Sequence, residues 1–466
     1  MTGSEVRLTN DLVSVSVIPA EGGRVASLVD LSSERELFFR RTPTPGPRVD
    51  YQRSAAGGWE EMFPNDSPYL EYPFHGVLWR SRFEVTDRDT RFVRLEAALD
   101  TPQVAVCYEF TLLPGLIDAH THFFLEGGEL DPDKRSAYLK QTAGELLDHA
   151  VRRMEKLVRL GIIATRDAGD KDGVGLALSK LYSGSDRPLM PYVDSPGAAI
   201  HHRGRYGNFM AEPFEDCMTP RQCVEARVKS GADRIKLIPT GIINFKKGAV
   251  TAEPQMTPER IAEFVAAAKH FGRQTLAHAS GDKGIERVID GGVDSVEHGF
   301  FVRDDQLAKM RDREIAWVPT FAPVKKQVDY ADWMGWDAEV VANLEKILDR
   351  HAASLVKAHA MGVKVIAGSD SGSYGVAHGL GLLYELELME RAGLSSLAVI
   401  NCATGAGSKR LAFKEKFGQI KPGFLSRFIL TRHSPLNGVA NLRKERTVVF
   451  DGAVFETDEA ADSNGL

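Results

Sequence analysis

Between Leu116 and about Gly368, short apolar segments alternate with amphipathic helical ones, and a chain patterned this way has few folds open to it. The strand candidates are 116–123, 161–168, 189–194, 233–240, 273–279, 294–300, 315–321 and 364–370, eight in all. The helices between them carry their own start and stop signals. Thr219-Pro220 and Thr257-Pro258 read as an N-cap followed by proline at the first helical position. Gly161, Gly231, Gly272 and Gly362 close helical runs as left-handed stops. Ile261, Phe264, Val265 and Ala268 share one face of 257–271, as Leu344, Ile347, Leu348 and Leu355 do in 337–361. This pattern predicts an α/β fold, a (β/α)8 TIM-like barrel. A doubly wound open sheet is the alternative, but no Gly-rich phosphate loop accompanies it.

The flanks differ in character. In 12–19, 24–31, 92–99 and 105–112, apolar and β-branched residues alternate or cluster between turn residues, which predicts β structure. The expected organisation is a β-rich, sandwich-like segment over 1–113, the barrel over 114–415, a small β domain from the C-terminal tail over 416–456, and a disordered acidic end over 457–466. A net charge of -6 argues against nucleic acid or an anionic membrane as partner. A small-molecule substrate is the expected partner, and a homo-oligomer stays open. Cys107, Cys217, Cys223 and Cys402 lie apart without a CxxC pair. No signal-peptide pattern and no membrane-length apolar run is read, so a reduced, cytoplasmic setting is expected.

In a (β/α)8 barrel, chemistry gathers at the C-terminal ends of the strands. His120 and His122 end the first strand candidate. They are two apart, so they share a face and can reach one ion. Lys236, His278, His298 and Asp370 belong to the fourth, fifth, sixth and eighth. Each alone reads as packing or a turn residue. Together, burying six such groups without partners costs several kcal/mol, and a metal centre satisfies them jointly.

These motifs resemble the metal-dependent amidohydrolase superfamily. The resemblance lies in PGLIDAHTH, the lysine of DRIKLIPTG, the histidines of LAHASG and SVEHGF and the aspartate of AGSDSG, over about residues 113–456. The prolidase-like and imidazolonepropionase-related branch is nearest. The resemblance implies two divalent metal ions, zinc or similar. His120, His122 and Asp370 would hold one, His278 and His298 the other, and a carbamate on Lys236 would bridge them; a plain lysine beside a mononuclear site is the alternative. It also implies hydrolysis of an amide-type C–N bond in a dipeptide, N-acyl amino acid or cyclic amide, by a metal-activated hydroxide with Asp370 as general base and acid. Substrate-binding candidates are Arg166, His201, His202, Tyr374 and His378. Arg166 could instead orient the site by pairing with Asp167 or another acid.

A second resemblance sits upstream. GGWEEMFPND and the following FHG, with Gly58, Trp59, Glu61, Phe63, Pro64, His75 and Gly76, are similar to the start of a galactose-mutarotase-like (aldose 1-epimerase-related) domain, here truncated. Epimerisation needs an acid and a base, and only His75 is in place. A packed aromatic turn around Trp59 and Trp79 is the simpler reading. A carbohydrate-binding or aldose-1-epimerase-like protein, or a fusion with an inactive barrel, are the alternative functions. Two departures from the amidohydrolase pattern stand out. The loop GIINFKKGAVTAEPQMT lacks the usual glycine pair and acidic-proline run, which leaves substrate choice open. Leu425-Ser426-Arg427 stands where an alanine-aspartate pair is common, which predicts an imperfect small sandwich.

Overall fold

The computed structural model describes residues 5–9, 13–19, 24–30, 35–36, 83–88, 92–98, 105–170, 172–185, 187–421 and 423–457. The chain divides into two compact units.

One unit is Met1–Gly115 with Glu415–Asn437 and Asn441–Glu459. Its described residues form two antiparallel sheets. The first runs in order through β1 (Val6–Thr9), β2 (Val13–Ile18), β3 (Arg24–Asp30) and β4 (Arg35–Glu36). The second contains β5 (Glu84–Arg88), β6 (Phe92–Ala98) and β7 (Ala105–Pro114), continued by the tail. There β7 pairs with β17 (Arg427–Thr431), which pairs with β18 (Arg446–Phe450), itself paired with β19 (Ala453–Thr457). The β7–β17 register runs from Phe428 opposite Pro114 to Thr431 opposite Thr111. The expectation of imperfect pairing is therefore corrected. Arg427, the residue out of pattern, lies over the Phe450 ring at 4.1 Å and pairs with Asp451 at 2.6 Å, so the departure carries its own counter-charge. The GGWEEMFPND segment, His75 and Trp79 lie outside the described residues.

The other unit is Leu116–Lys414 with Gly438–Ala440 and Ala460–Leu466. Parallel strands β8 (Leu116–Thr121), β9 (Ile162–Asp167) and β10 (Tyr192–Asp194) form one sheet. A second parallel sheet has the order β12 (Ala211–Pro213), β11 (Ala199–His201), β13 (Ile235–Leu237), β14 (Thr275–Ala279), β15 (Ser295–His298) and β16 (Ala316–Val318). The third expected strand is β10, paired with β9; beyond Ser195-Pro196 a further strand, β11, pairs with β13. The eighth is not a strand. Segment 364–371 is joined by single bridges, Trp317 to Val365 and Thr121 to Ser371. Its backbone still serves both neighbours: Ile366 N–H donates to the Trp317 carbonyl at 2.9 Å and Asp370 N–H to the His120 carbonyl at 2.7 Å. The result is a TIM-like barrel.

The helices start and stop as their residues dictate. Thr219 and Thr257 cap Pro220–Lys229 and Pro258–His270, and Asp337 caps Ala338–Met361. Gly161, Gly231, Gly272 and Gly362 all have positive φ. Among the described residues, no helix is long and apolar enough to cross a membrane. Cys217, Cys223 and Cys402 are free thiols. Cys223 Sγ accepts from Arg227 Nη1 at 3.3 Å.

One glycine matters to the barrel wall. A Cβ on Gly368 would lie 2.5 Å from Val318 Cγ1 and 2.9 Å from the His120 nitrogen. Gly368→Ala is therefore expected to lower unfolding stability by about 1–3 kcal/mol and to loosen the His120 strand. Urea unfolding checks this; an unchanged midpoint would contradict the close packing.

Candidate metal centre

Strand alternation places Asp118, His120 and His122 on one side of β8. All three are buried. His120 Nδ1–H donates to Glu297 Oε2 at 2.7 Å, and His122 Nδ1–H donates to the Gly169 carbonyl at 3.0 Å. With the proton held on Nδ1, each Nε2 keeps its lone pair. Those two nitrogens lie 3.6 Å and 3.4 Å from Asp370 Oδ1. One ligand atom from each of His120, His122 and Asp370 falls within 4.8 Å of the others. His120 Nε2 is buried without a hydrogen-bond partner. An orphaned imidazole nitrogen beside a second one and a carboxylate is a donor set that suits a divalent cation.

The remaining groups border the same space. The rings of His278 and His298 are 4.5 Å apart between centroids, and those of His298 and His120 4.9 Å. His278 Nε2–H faces the Gly241 carbonyl at 3.4 Å, which leaves Nδ1 free. His298 Nδ1 bonds Thr320 Oγ1 at 2.7 Å. A cavity of about 170 Å³ is lined by His122, Lys236, His278, His298 and Asp370, with Tyr206, Ser280, Thr320 and Ser373.

Burial dominates the electrostatics. It takes the His122 and His278 imidazoles down to about 3, with the Lys236 charge acting in the same direction, and holds His120 and His298 well below their usual value. All four are neutral at pH 7, the form that ligates metal. Burial lowers the Lys236 ammonium to about 8, against the attraction of Glu297, and raises the Asp370 carboxyl to about 7.

The backbone is strained here. His298, Thr320 and Asp370 have φ of 67°, 51° and 55°, three of the seven non-glycine residues with positive φ among those described. Such conformations cost on the order of 1–3 kcal/mol each and collect at functional sites. At His298 the consequence is geometric. Neighbours on a regular strand point to opposite faces, yet the turn lets Glu297 touch His120 while His298 meets His278 and His120.

Glu297 is the main residue missed in the sequence. It is fully buried and accepts from His120, from Ser295 Oγ at 2.6 Å, and from Arg166 Nη2 at 2.8 Å and 2.7 Å. Its signal was an acid inside the apolar stretch DSVEHGF, next to a candidate ligand. Asp118 was missed too. It accepts from Ser369 N–H at 2.9 Å and Ser369 Oγ at 2.5 Å, anchoring the segment that carries Asp370.

The substrate-binding candidates take the following places. Arg166 is buried under the site, bound to Glu297 and, through Nε, to the Ala119 carbonyl at 2.6 Å; its acid is Glu297, not Asp167. His201 is buried on β11 and His202 is exposed against Glu215 at 3.0 Å. The Tyr374 hydroxyl donates to the Leu130 carbonyl. His378 joins Thr121 Oγ1 at 3.2 Å to the Leu125 carbonyl at 2.9 Å and stacks on Phe123. None of the five lines the cavity. Arg166, Tyr374 and His378 spend polar atoms on the scaffold, whereas both His201 ring nitrogens are buried without a hydrogen-bond partner.

Comparison with known proteins gives a consistent picture. The profile of the Amidohydrolase family matches residues 111–454. An ochratoxinase of Aspergillus niger is 24% identical over 358 residues, 72% of this chain and 73% of that protein. An uncharacterized protein of Mycobacterium tuberculosis is 25% identical over 294 residues, 63% of this chain and 72% of that protein. Among solved structures, a Xaa-Pro dipeptidase with methionine bound in its active site superposes with a TM-score of 0.63 at 26% identity, covering 75% of this chain and 87% of that one.

Proposed function

Because the chain belongs to the amidohydrolase family, a family of metal-dependent hydrolases of C–N bonds, we propose that it cleaves an amide-type bond at the centre built around His120, His122 and Asp370. The observation that carries this reading is the buried, partnerless His120 Nε2, grouped with His122 and Asp370. His120, His122 and Asp370 would hold one divalent ion, and His278 and His298 a second. Zinc suits this donor set. When bound, the ions would supply a Lewis acid and a nucleophilic oxygen at neutral pH.

The chain's own residues do the rest. Asp370, poised near 7 by burial, accepts a proton from the attacking water and returns it to the leaving nitrogen. Glu297 fixes the His120 tautomer, and Arg166 holds Glu297. The strained turns at 298, 320 and 370 aim their side chains before substrate arrives. We place the protein in the cytoplasm, from its reduced cysteines. The direct test is a panel of N-acyl amino acids, dipeptides and lactams offered to the metal-loaded chain. Turnover lost on chelation and regained with metal is expected; no turnover of any amide by metal-loaded protein would contradict the reading.

Lys236, as a carbamate, would help His120, His122, His278, His298 and Asp370 hold the ions. Its neutral Nζ would add to carbon dioxide and give up a proton, producing an anionic group with two oxygens. Only the neutral amine reacts, and its fraction rises with pH through about 8. With dissolved carbon dioxide held constant, uptake of the second metal equivalent should therefore need that carbon dioxide and quicken between pH 7 and 9. Uptake indifferent to both would leave Lys236 an unmodified lysine.

A further inference from the structure

Besides the metal-side groups and the hydroxyls of Tyr206, Ser280, Thr320 and Ser373, the cavity lining is apolar. This apolar wall includes Leu125, Phe209, Ile242, Phe245, Phe300 and Val324. Phe300 and Val324 are fixed in a core cluster with Leu344 and Ile347, and Phe245 packs against that cluster. Ile242 and Phe209 are 51% and 38% exposed, so the apolar surface runs from the buried cluster out to solvent-facing residues. Exposed large apolar side chains on a pocket are a recognition signal more than a packing one. The volume of about 170 Å³ accommodates roughly one aromatic ring, since a cavity of about 150 Å³ holds benzene.

Charge is placed just as unevenly. Among the described residues, Lys236 is the one cationic lining residue other than histidine, and it sits among the imidazoles. The arginines behind the wall are committed to backbone: Arg153 donates to the Leu125 carbonyl at 3.0 Å, and Arg135 to the Gly372 carbonyl at 3.2 Å. Arg205 donates to the Glu253 carbonyl, away from the cavity lining. A substrate carboxylate lodged against the apolar wall would lose its water and gain no counter-ion.

We propose, building on the hydrolase reading above, that the preferred substrate is a neutral amide bearing one aryl-sized apolar group and no carboxylate beside the scissile nitrogen. The site thus disfavours N-acyl amino acids and free dipeptides. The loop that departs from the family pattern supplies Ile242 and Phe245, so the preference is written in this chain's own residues.

The test uses the full chain reconstituted with zinc and bicarbonate and two probes that differ only by the carboxylate, N-acetylphenethylamine and N-acetylphenylalanine. The neutral probe is expected to have a kcat/KM at least about tenfold higher. Equal or reversed values would overturn the inference while leaving the hydrolase reading intact. If neither turns over, calorimetric binding of the same pair decides: tighter binding of the neutral probe supports the inference, and equal or weaker binding overturns it. Lack of turnover bears only on the hydrolase reading. Ile242→Arg, at a half-exposed position, should shrink the neutral-to-anionic ratio several-fold by bringing a cation to the wall. An unchanged ratio in that variant would also count against the inference.

Discussion

Asp370→Asn is expected to lower the turnover of amide hydrolysis by roughly 10²–10⁴-fold while most of the bound metal is kept. The amide matches the carboxylate in shape and still offers an oxygen ligand, but it cannot take a proton from the attacking water. The raised carboxyl, pushed to about 7 by burial, is suited to accept and return a proton near neutrality. Kinetics and metal content measured on the same preparation separate the two roles. Activity within tenfold of the parent would remove Asp370 from proton transfer; loss of metal with loss of activity would make it a ligand alone.

Glu297→Gln should damage the protein differently. Arg166 is 1% exposed and its Nη2 rests on both Glu297 oxygens. Removing that charge leaves a buried guanidinium unpaired, at a cost of about 3–5 kcal/mol of unfolding free energy. His120 also exchanges a charged acceptor for at best a neutral amide oxygen, which should weaken metal binding roughly 10–100-fold. Pairing the change with Arg166→Met separates the effects. Stability should largely return, because no lone charge stays buried, but metal affinity should not. Recovery of both would mean that Glu297 serves only the ion pair.

The two substitutions also mark what the sequence could and could not reveal. His120, His122, Lys236, His278, His298 and Asp370 were legible because each sits late on, or within, a strand candidate, and strand ends converge in a barrel. The structure brings them to one place. Glu297 carries only the faint signal of an acid in an apolar stretch, because period-two alternation puts it opposite His298. Only the left-handed turn at His298, φ 67°, lets both face the centre, and nothing in SVEHGF announces that turn. The eighth strand was read from its apolar run, but Asp118 and backbone bonds hold 364–371 in place where a full ladder was expected. Arg166, His201, His202, Tyr374 and His378 are read from loop and strand-end positions, and none of them lines the cavity. Which way a loop side chain turns is set by tertiary partners such as Glu297, Leu130 and Leu125, and those are distant in sequence. The β7–β17 pairing was misjudged for the same reason: Arg427 looked out of pattern until Asp451 and Phe450 stood beside it.

The central claim is that these buried nitrogens and oxygens exist to hold metal. Elemental analysis of the full chain, purified after supply of zinc and bicarbonate and freed of loosely bound ions, tests it most directly. About two equivalents per chain are expected, falling on substitution of His120 or His298 by alanine. Protein that stays folded and retains no metal under those conditions would contradict it.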